Sequence, residues 1–177
     1  SGLNFVRGDV RDGAALSKAA RECDTGIHLA ICAGDTAVRE MLDVNMTGAY
    51  SFFAAAREHK FTNAVVVSSA PVHLPENASD NTFPLRTADG GDHVYDLSKA
   101  VQELIARDFH IHGTPAMCLR LGHVVWGARD VNLSVPTPLA DFAYCRGGWV
   151  ALEDVVTACA HALQTSPDRD QFEILNI

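Results

Sequence analysis

The sequence is poor in basic residues and contains no long apolar run. Its 177 residues include 14 Lys and Arg against 22 Asp and Glu, which gives a formal net charge of −8. Nucleic acids and anionic membrane surfaces bind clustered cations, and the sequence has no such cluster, so both are excluded as partners. No apolar run reaches the roughly 18 residues of a membrane span, and the first residues lack the charged-then-apolar order of a signal peptide. We therefore expect a cytoplasmic protein.

Paired cysteine and histidine motifs are also missing. The cysteines are odd in number, widely spaced and free of any C-x-x-C, which argues against a zinc site and a disulfide framework. They are Cys23, Cys32, Cys118, Cys145 and Cys159. Among the eight histidines, His110 and His112 are two residues apart, so they point away from each other on a helix. No metal site is predicted.

Short apolar runs alternate with helical patterns along the chain. Strands are predicted at 3–6, 26–31, 64–67, 116–121 and 172–177, with an extended stretch at 149–152. Helices are predicted at 12–22, 36–59, 95–112 and 153–164, and 122–138 is predicted to be irregular. Strands that alternate with helices of ten or more residues predict a parallel sheet with helices on both faces. The expected fold is α/β, a doubly wound sheet in one domain spanning 1–177, and run 26–31 is expected to be a buried strand because it is apolar on both sides.

Small and polar residues stand where the predicted strands end. Asp9 follows the first strand, Leu29 and Ala30 end the second, Ser68 and Ser69 end the third, and Leu121 ends the fourth. Ligands of parallel sheets bind beyond the carboxyl ends of the strands. These residues are therefore expected to line one site.

Tyr95 and Lys99 begin the helix that follows the third strand. They are four residues apart, so they project from one face of that helix. A free tyrosine has a pKa of about 10, and a phenolate base near neutral pH needs about 4 kcal/mol of stabilisation, which a neighbouring ammonium can largely supply. The chain has only three Tyr and three Lys. The pair is a candidate for proton transfer, and a surface Tyr and Lys at helical spacing is the alternative.

Seven segments resemble, in order, the motifs of the extended short-chain dehydrogenase/reductase family, the NAD(P)-dependent sugar epimerases, dehydratases and sugar-acid dehydrogenases. The resemblance covers nearly the whole chain. The segments are 8–12 (GDVRD), 28–30 (HLA), 44–48 (VNMTG), 68–73 (SSAPVH), 95–99 (YDLSK), 119–127 (LRLGHVVWG) and 148–155 (GWVALEDV).

The resemblance implies a Rossmann-like domain with a Ser/Tyr/Lys site and NAD or NADP as cofactor. Tyr95 would exchange the substrate hydroxyl proton, Lys99 would lower the Tyr95 pKa and hold the ribose, and Ser69 would hydrogen-bond the reacting oxygen. Asp9 would meet the adenine amine. The cofactor-binding set implied is Asp9, Val10, Leu29, Ala30, Ser68, Tyr95, Lys99 and Leu121. Residues from about 122 to 177 would form a small substrate-side portion, and a homodimer is expected.

The substrate implied is a small sugar-type molecule. The short interval between Leu121 and Trp149 favours a compact sugar or sugar-acid dehydrogenase over an enzyme with a large nucleotide-binding lobe. A sugar-nucleotide epimerase or dehydratase is the alternative. Arg129 and Arg146 stand where an acidic substrate would be held.

The sequence departs from the family in lacking the glycine-rich G-x-x-G-x-x-G turn and its βαβ unit. The expected fold is therefore N-terminally incomplete, either as an incomplete stretch of a whole enzyme or as a truncation, and tight dinucleotide binding is not expected of it. His73 stands where the family has Tyr, and Pro71 follows Ser69 closely. A catalytically silent binding or regulatory module is the third hypothesis, although such a module has no physical need of a Ser/Tyr/Lys set.

Other polar residues have structural explanations. Asp12 and Asp154 are expected to start helices, Arg120 to pair with a carboxylate, and Asn45 either to bond a loop near the cofactor or to be satisfied within its helix. A wide apolar stripe in the second helix is a candidate dimer surface: Val38, Met41, Leu42, Phe52 and Phe53.

Overall fold

The computed structural model describes residues 4–32, 37–69, 93–125 and 149–177, with the backbone alone for His93, His123 and Trp149. Residues 71, 73, 129, 145 and 146, on which several sequence predictions rest, lie outside these ranges. The elements in chain order are α1 (Gly13–Ala20), β1 (Thr25–His28), α2 (Val38–Leu42), a π-helical turn (Asp43–Thr47), α3 (Gly48–Glu58), β2 (Asn63–Ser69), α4 (His93–Ile111), β3 (Ala116–Leu121), β4 (His123–Val125), β5 (Trp149–Ala151), α5 (Leu152–Gln164) and β6 (Glu173–Asn176).

Four strands form one parallel sheet in the order β1-β2-β3-β6, and β4 pairs with β5 in a small second sheet. The register places Val66 beside His28 on one side and beside Cys118 on the other. All three pairings of the larger sheet are parallel. Their carboxyl ends therefore lie along one edge, which we call the carboxyl rim.

Side chains of β2 and β3 alternate between two apolar clusters. Ala64 and Val66 pack with Phe53, Ala106 and Phe109 of α3 and α4. On the opposite face, another cluster buries residues of β2, β3 and α5, with Val150 of β5: Val65, Val67, Met117, Leu119, Leu121, Val150, Val155 and Ala162. Successive side chains of a strand point to opposite faces of the sheet. Because helices cover both faces, a central strand is apolar on both. The predicted α/β fold with helices on both faces is confirmed.

The edge position of β1 corrects one prediction. Run 26–31 was expected to be a strand buried on both faces, but β1 ends at His28 and Leu29 is 58% exposed. Among the described strands β1 has a partner on one side alone, β2. β1 is therefore the edge strand of the described sheet, although run 26–31 is mostly apolar.

Two further elements differ from the predictions. Residues 4–6 are not a strand, and the irregular prediction for 122–138 missed β4. A three-residue strand is too short to produce a period-two pattern. The predicted helix at 36–59 is present from Val38 but widens into the π-helical turn.

Asp12 begins α1 as predicted, since its carboxylate accepts a hydrogen bond from the Ala15 N–H at 3.0 Å. The predicted apolar stripe is mostly core, because Met41 and Phe53 are buried whereas Val38 is 54% exposed. No described helix is both long and apolar enough to span a membrane.

Candidate active site

Lys99 lies in the second turn of α4 and reaches the carboxyl end of β2. Its ammonium donates a hydrogen bond of 2.6 Å to the Val67 carbonyl, and the residue is 4% exposed. The Lys99 Nζ atom lies 6.0 Å from the centroid of the Tyr95 ring. The helical spacing seen in the sequence therefore does bring the ammonium and the phenol side by side.

The Lys99 ammonium has an unusual environment for a cation. Burial lowers its pKa from 10.5 to about 8, and the neighbouring Cys118 and Glu103 oppose that shift in part. Among the described residues no carboxylate forms an ion pair with it. A buried cation with one backbone acceptor keeps two N–H donors for other groups.

Ser68 and Ser69 are the last two residues of β2, so their side chains point to opposite faces of the sheet. The Ser68 hydroxyl is buried and makes no hydrogen bond within the described part of the chain. Ser69 is half-buried at the strand end. Ser69 therefore stands at the rim, on the same face of β2 as Val67.

Four of the buried polar residues of α4, including Lys99, lie in its second and third turns and face the sheet and neighbouring elements: Ser98, Lys99, Gln102 and Glu103. The sequence analysis missed Ser98, Gln102 and Glu103. The sequence did contain a signal for them. The polar pairs Ser98-Lys99 and Gln102-Glu103 are four residues apart, so they share one face of a helix that must bury one face. We call these residues the polar face of α4.

Asn45 connects the polar face of α4 to the loop after β1. Its amide oxygen accepts a 2.7 Å hydrogen bond from the Cys32 N–H, and its amide nitrogen donates to the Cys32 carbonyl at 3.0 Å and to the Ser98 hydroxyl at 2.8 Å. Ser98 in turn donates to the Tyr95 carbonyl at 2.7 Å. Of the two alternatives left by the sequence, Asn45 bonds the loop that follows β1.

Glu103 and Arg120 form a two-pronged ion pair between α4 and β3. The Arg120 guanidinium donates from Nε at 2.9 Å and from Nη2 at 2.7 Å to the two carboxylate oxygens. The Glu103 hydrogen bond raises the pKa of Arg120. The predicted carboxylate partner of Arg120 is therefore present.

Asp9, expected near the adenine, has its carboxylate engaged by a neighbour. Arg11 donates to it from Nη2 at 2.6 Å, from Nε and from the backbone N–H, and these bonds lower the pKa of Asp9 to about 2. The same guanidinium reaches Asp43 at 3.2 Å. Asp9 is exposed, so an incoming amine would share its oxygens with Arg11.

Of the other predicted cofactor residues, all but Val10 lie at or just beyond the carboxyl end of a strand of the larger sheet. Leu29 and Ala30 follow β1 directly, Leu121 is the buried last residue of β3, and Val10 lies in the loop before α1. No cluster of three metal-ligating side chains occurs among residues 4–32, 37–69, 93–125 and 149–177. A pocket of about 390 Å³ lies at the other edge, where β2 and β3 begin, and Thr62 and Pro115 help to line it.

The residues at the carboxyl rim fit the nicotinamide-ribose end of a dinucleotide. Within the described part of the chain the Lys99 ammonium has one acceptor, which leaves two donors for sugar hydroxyls, and the exposed Leu29 offers an apolar surface.

Residues 1–140 match the model of the NAD dependent epimerase/dehydratase family. The chain belongs to this family. It is 28% identical to L-arabinose 1-dehydrogenase (NAD(P)(+)) from Haloferax volcanii over 181 residues, which cover 94% of this chain and 71% of that protein. The family is one of enzymes that use NAD, and the predicted family and cofactor class are confirmed.

Solved structures show the same fold. A dTDP-glucose 4,6-dehydratase from Streptomyces venezuelae with NAD and TYD bound aligns with a TM-score of 0.72 at 23% identity, covering 99% of this chain and 58% of that one. Uronate dehydrogenase from Agrobacterium tumefaciens aligns with a TM-score of 0.69 at 19% identity, covering 99% and 64%. The chain thus spans less than two thirds of either structure.

Proposed function

We propose that the chain carries the site of an NAD(P)-dependent oxidoreductase that transfers hydride at a hydroxyl of a sugar or sugar acid. The observation that carries the proposal is the buried Lys99 ammonium, which lies beside Tyr95 at the carboxyl rim without a carboxylate partner among the described residues. A buried cation costs stability, so its presence beside a phenol favours a chemical role.

The proposed chemistry divides among three side chains. Tyr95, as phenolate, takes the proton of the substrate hydroxyl during oxidation and returns it during reduction. The Lys99 ammonium stabilises the phenolate and donates to ribose hydroxyls, and the Ser69 hydroxyl donates to the reacting oxygen. NAD(P), when bound, supplies the hydride acceptor or donor.

The named relatives support the proposed substrate class. L-arabinose 1-dehydrogenase is named for a sugar, and uronate dehydrogenase is named for a sugar acid. A sugar-nucleotide epimerase or dehydratase is the second candidate, supported by the match to dTDP-glucose 4,6-dehydratase.

The test is turnover by the purified protein with NAD and with NADP, followed through the absorbance of the reduced cofactor. L-arabinose and a uronate test the first candidate by this absorbance. Epimerisation and dehydration return the hydride to the sugar within each turnover, so dTDP-glucose, which tests the second candidate, is followed by chromatography of the sugar-nucleotide products. The Tyr95→Phe variant should lose about 10²- to 10⁴-fold in kcat, the usual contribution of general acid–base catalysis, with little loss of stability. Tyr50→Phe is the matched control, because Tyr50 is exposed on α3. Equal kcat in the two variants would overturn the assignment of Tyr95.

We also propose a homodimer and a cytoplasmic location. The family resemblance supports the dimer, and exposed apolar residues on neighbouring helices, Val38, Tyr50, Leu104 and Ile111, offer a surface for it. Light scattering after gel filtration would measure the mass, and a monomer at micromolar concentration would contradict the dimer.

A further inference from the structure

The early and middle turns of α4 bury a run of polar side chains, whereas its later turns belong to the apolar cluster under α3 and α4. Ala106 and Phe109 belong to the apolar cluster under α3 and α4. Before them, Ser98, Lys99, Gln102 and Glu103 are all buried and polar. Directional hydrogen bonds fix a position more narrowly than non-directional apolar contact, so the Tyr95 end of α4 depends on these bonds.

Gln102 occupies the centre of the polar face of α4. It is 0% exposed, and its amide nitrogen donates to the Asn45 carbonyl at 2.9 Å and lies 3.4 Å from the His28 Nε2 atom. The reversed amide would place its oxygen 2.9 Å from the Asn45 carbonyl oxygen, acceptor against acceptor. The orientation is therefore set by its surroundings, and His28 accepts through Nε2 as the neutral imidazole.

These contacts join three elements at one point. Gln102 belongs to α4, Asn45 to the π-helical turn and His28 to β1. Gln102 holds the backbone of Asn45, while Ser98 and Cys32 hold the Asn45 side chain. Turns of π-helix are rare in proteins, and those that occur are often found at functional sites. The position of Asn45 and that of the Tyr95 end of α4 are thus linked through Gln102.

We propose that Gln102 is a positioning residue, which holds the start of α4 against the π-helical turn and β1 and thereby sets where Tyr95 and Lys99 stand relative to Ser69. The inference rests on the function proposed above. Gln102 does not act on the substrate. A misplacement of about 1 Å can cost an enzyme about a hundredfold in rate, so a lost anchor on this helix has a measurable effect.

The test compares Gln102→Met with Asn63→Leu. Methionine keeps the length of the side chain and removes its donors. Asn63 is the matched control because it is also a buried amide, 1% exposed, but it donates to the Ala162 and Thr165 carbonyls at the other end of β2. Both variants should lose stability. We expect kcat to fall by about ten- to a hundredfold in Gln102→Met alone, with the KM of the sugar changed less than kcat.

A second measurement does not require turnover. Competitive acetylation followed by mass spectrometry gives the titration of each lysine, with Lys18 and Lys60 as internal references. In the parent protein we expect a pKa of about 8 for Lys99. In Gln102→Met the start of α4 loosens, Lys99 becomes hydrated, and its titration should move towards its ordinary value of 10.5. Asn63→Leu should leave it unchanged.

The outcomes separate the two proposals. A parent protein without turnover, in which Gln102→Met still shifts the Lys99 titration, would reject the proposed function and support the role of Gln102. Equal effects of Gln102→Met and Asn63→Leu on kcat and on the Lys99 titration would overturn the positioning role. If Gln102→Met fails to fold, Gln102→Asn retains the amide on a shorter side chain. It should then show the same changes in smaller degree, and parent-like kcat and titration would likewise overturn the role.

Discussion

Lys99 carries a charge at a position where the fold alone gains little from it. Its pKa of about 8 lies below the ordinary value of 10.5 because the ammonium is buried. Between these two pH values the unfolded chain binds more protons than the folded one, so the free energy of unfolding rises with pH across that window. Below the window the charge costs up to about 3 kcal/mol, at about 1.36 kcal/mol per pH unit.

Replacing this charge should therefore stabilise the protein and inactivate it. We expect Lys99→Met to raise the free energy of unfolding at about pH 7 by about 1–3 kcal/mol and to remove the rise above pH 8. Denaturant titrations at about pH 7 and about pH 10 measure both effects. The exposed Lys18→Met variant corrects for general charge effects. A less stable Lys99→Met at neutral pH would show that the bond to Val67 outweighs the burial of the charge.

His28 makes the stability of the protein depend on pH in the acid range. Burial, and then the nearby Lys99 charge, lower its pKa from 6.5 to about 4. The unfolded chain takes up this proton first as pH falls, so the free energy of unfolding falls through the window from 6.5 to 4. Protonation would also place an N–H of His28 against the donating amide of Gln102.

The matching variant is His28→Gln, which keeps an acceptor and does not titrate. We expect it to flatten the acid loss of stability by up to about 3 kcal/mol at pH 4 relative to pH 6.5. Denaturant titrations across that window give the slope. His112→Gln, exposed near the end of α4, should retain the slope of the parent protein. A parent-like slope in His28→Gln would mean that other groups cause the acid loss.

At the scale of elements, Gly48 lets α3 approach the loop before α1. A Cβ at Gly48 would lie 2.7 Å from Cγ2 and 3.2 Å from Cβ of Val10, and the β-branched valine has little freedom to move. We expect Gly48→Ala to lower the free energy of unfolding by about 1–3 kcal/mol, the usual cost of overpacking. Gly13→Ala is the control, because its nearest contact would be an ordinary 3.8 Å. Equal melting temperatures for the two variants would contradict this close approach.

Element boundaries that depend on periodicity could be predicted from the sequence, and contacts between distant residues could not. β3 was predicted at its observed bounds because apolar runs flanked by turns identify buried strands. The π-helical turn was missed, since a single widened turn barely alters a helical pattern. The adjacency of Tyr95 and Lys99 followed from helical spacing, whereas the bonds from Gln102 to Asn45 and His28 span 57 and 74 residues and leave no local signal.

At the scale of the whole molecule, the apolar core lies at the centre of the sheet, whereas the residues proposed for chemistry lie at its carboxyl rim. The apolar clusters cover both faces of β2 and β3, where Val65, Val66, Cys118 and Leu119 are at most 1% exposed. The carboxyl rim instead holds a buried charge, a Ser68 hydroxyl that makes no hydrogen bond to the described residues, and polar networks. Ligand sites are commonly drawn from the less stable parts of a protein, and we expect the rim to be such a part.

Native-state hydrogen exchange should therefore grade the amides along the strands. We expect the slowest exchange at Val65–Val67 and Met117–Leu119, which open only with global unfolding, because these strands have a partner on each side and apolar cover on both faces. Amides of β1, which has one described partner, and of Cys32, held by Asn45, should exchange faster through local opening. Adding NAD should slow exchange at Cys32 and in the first turns of α4 more than in the centre of β2, since a ligand protects the part of the fold that it contacts. If NAD slowed exchange equally at the rim and in the centre of β2, it would act only by raising the global stability. That result would contradict the expectation that the carboxyl rim opens locally.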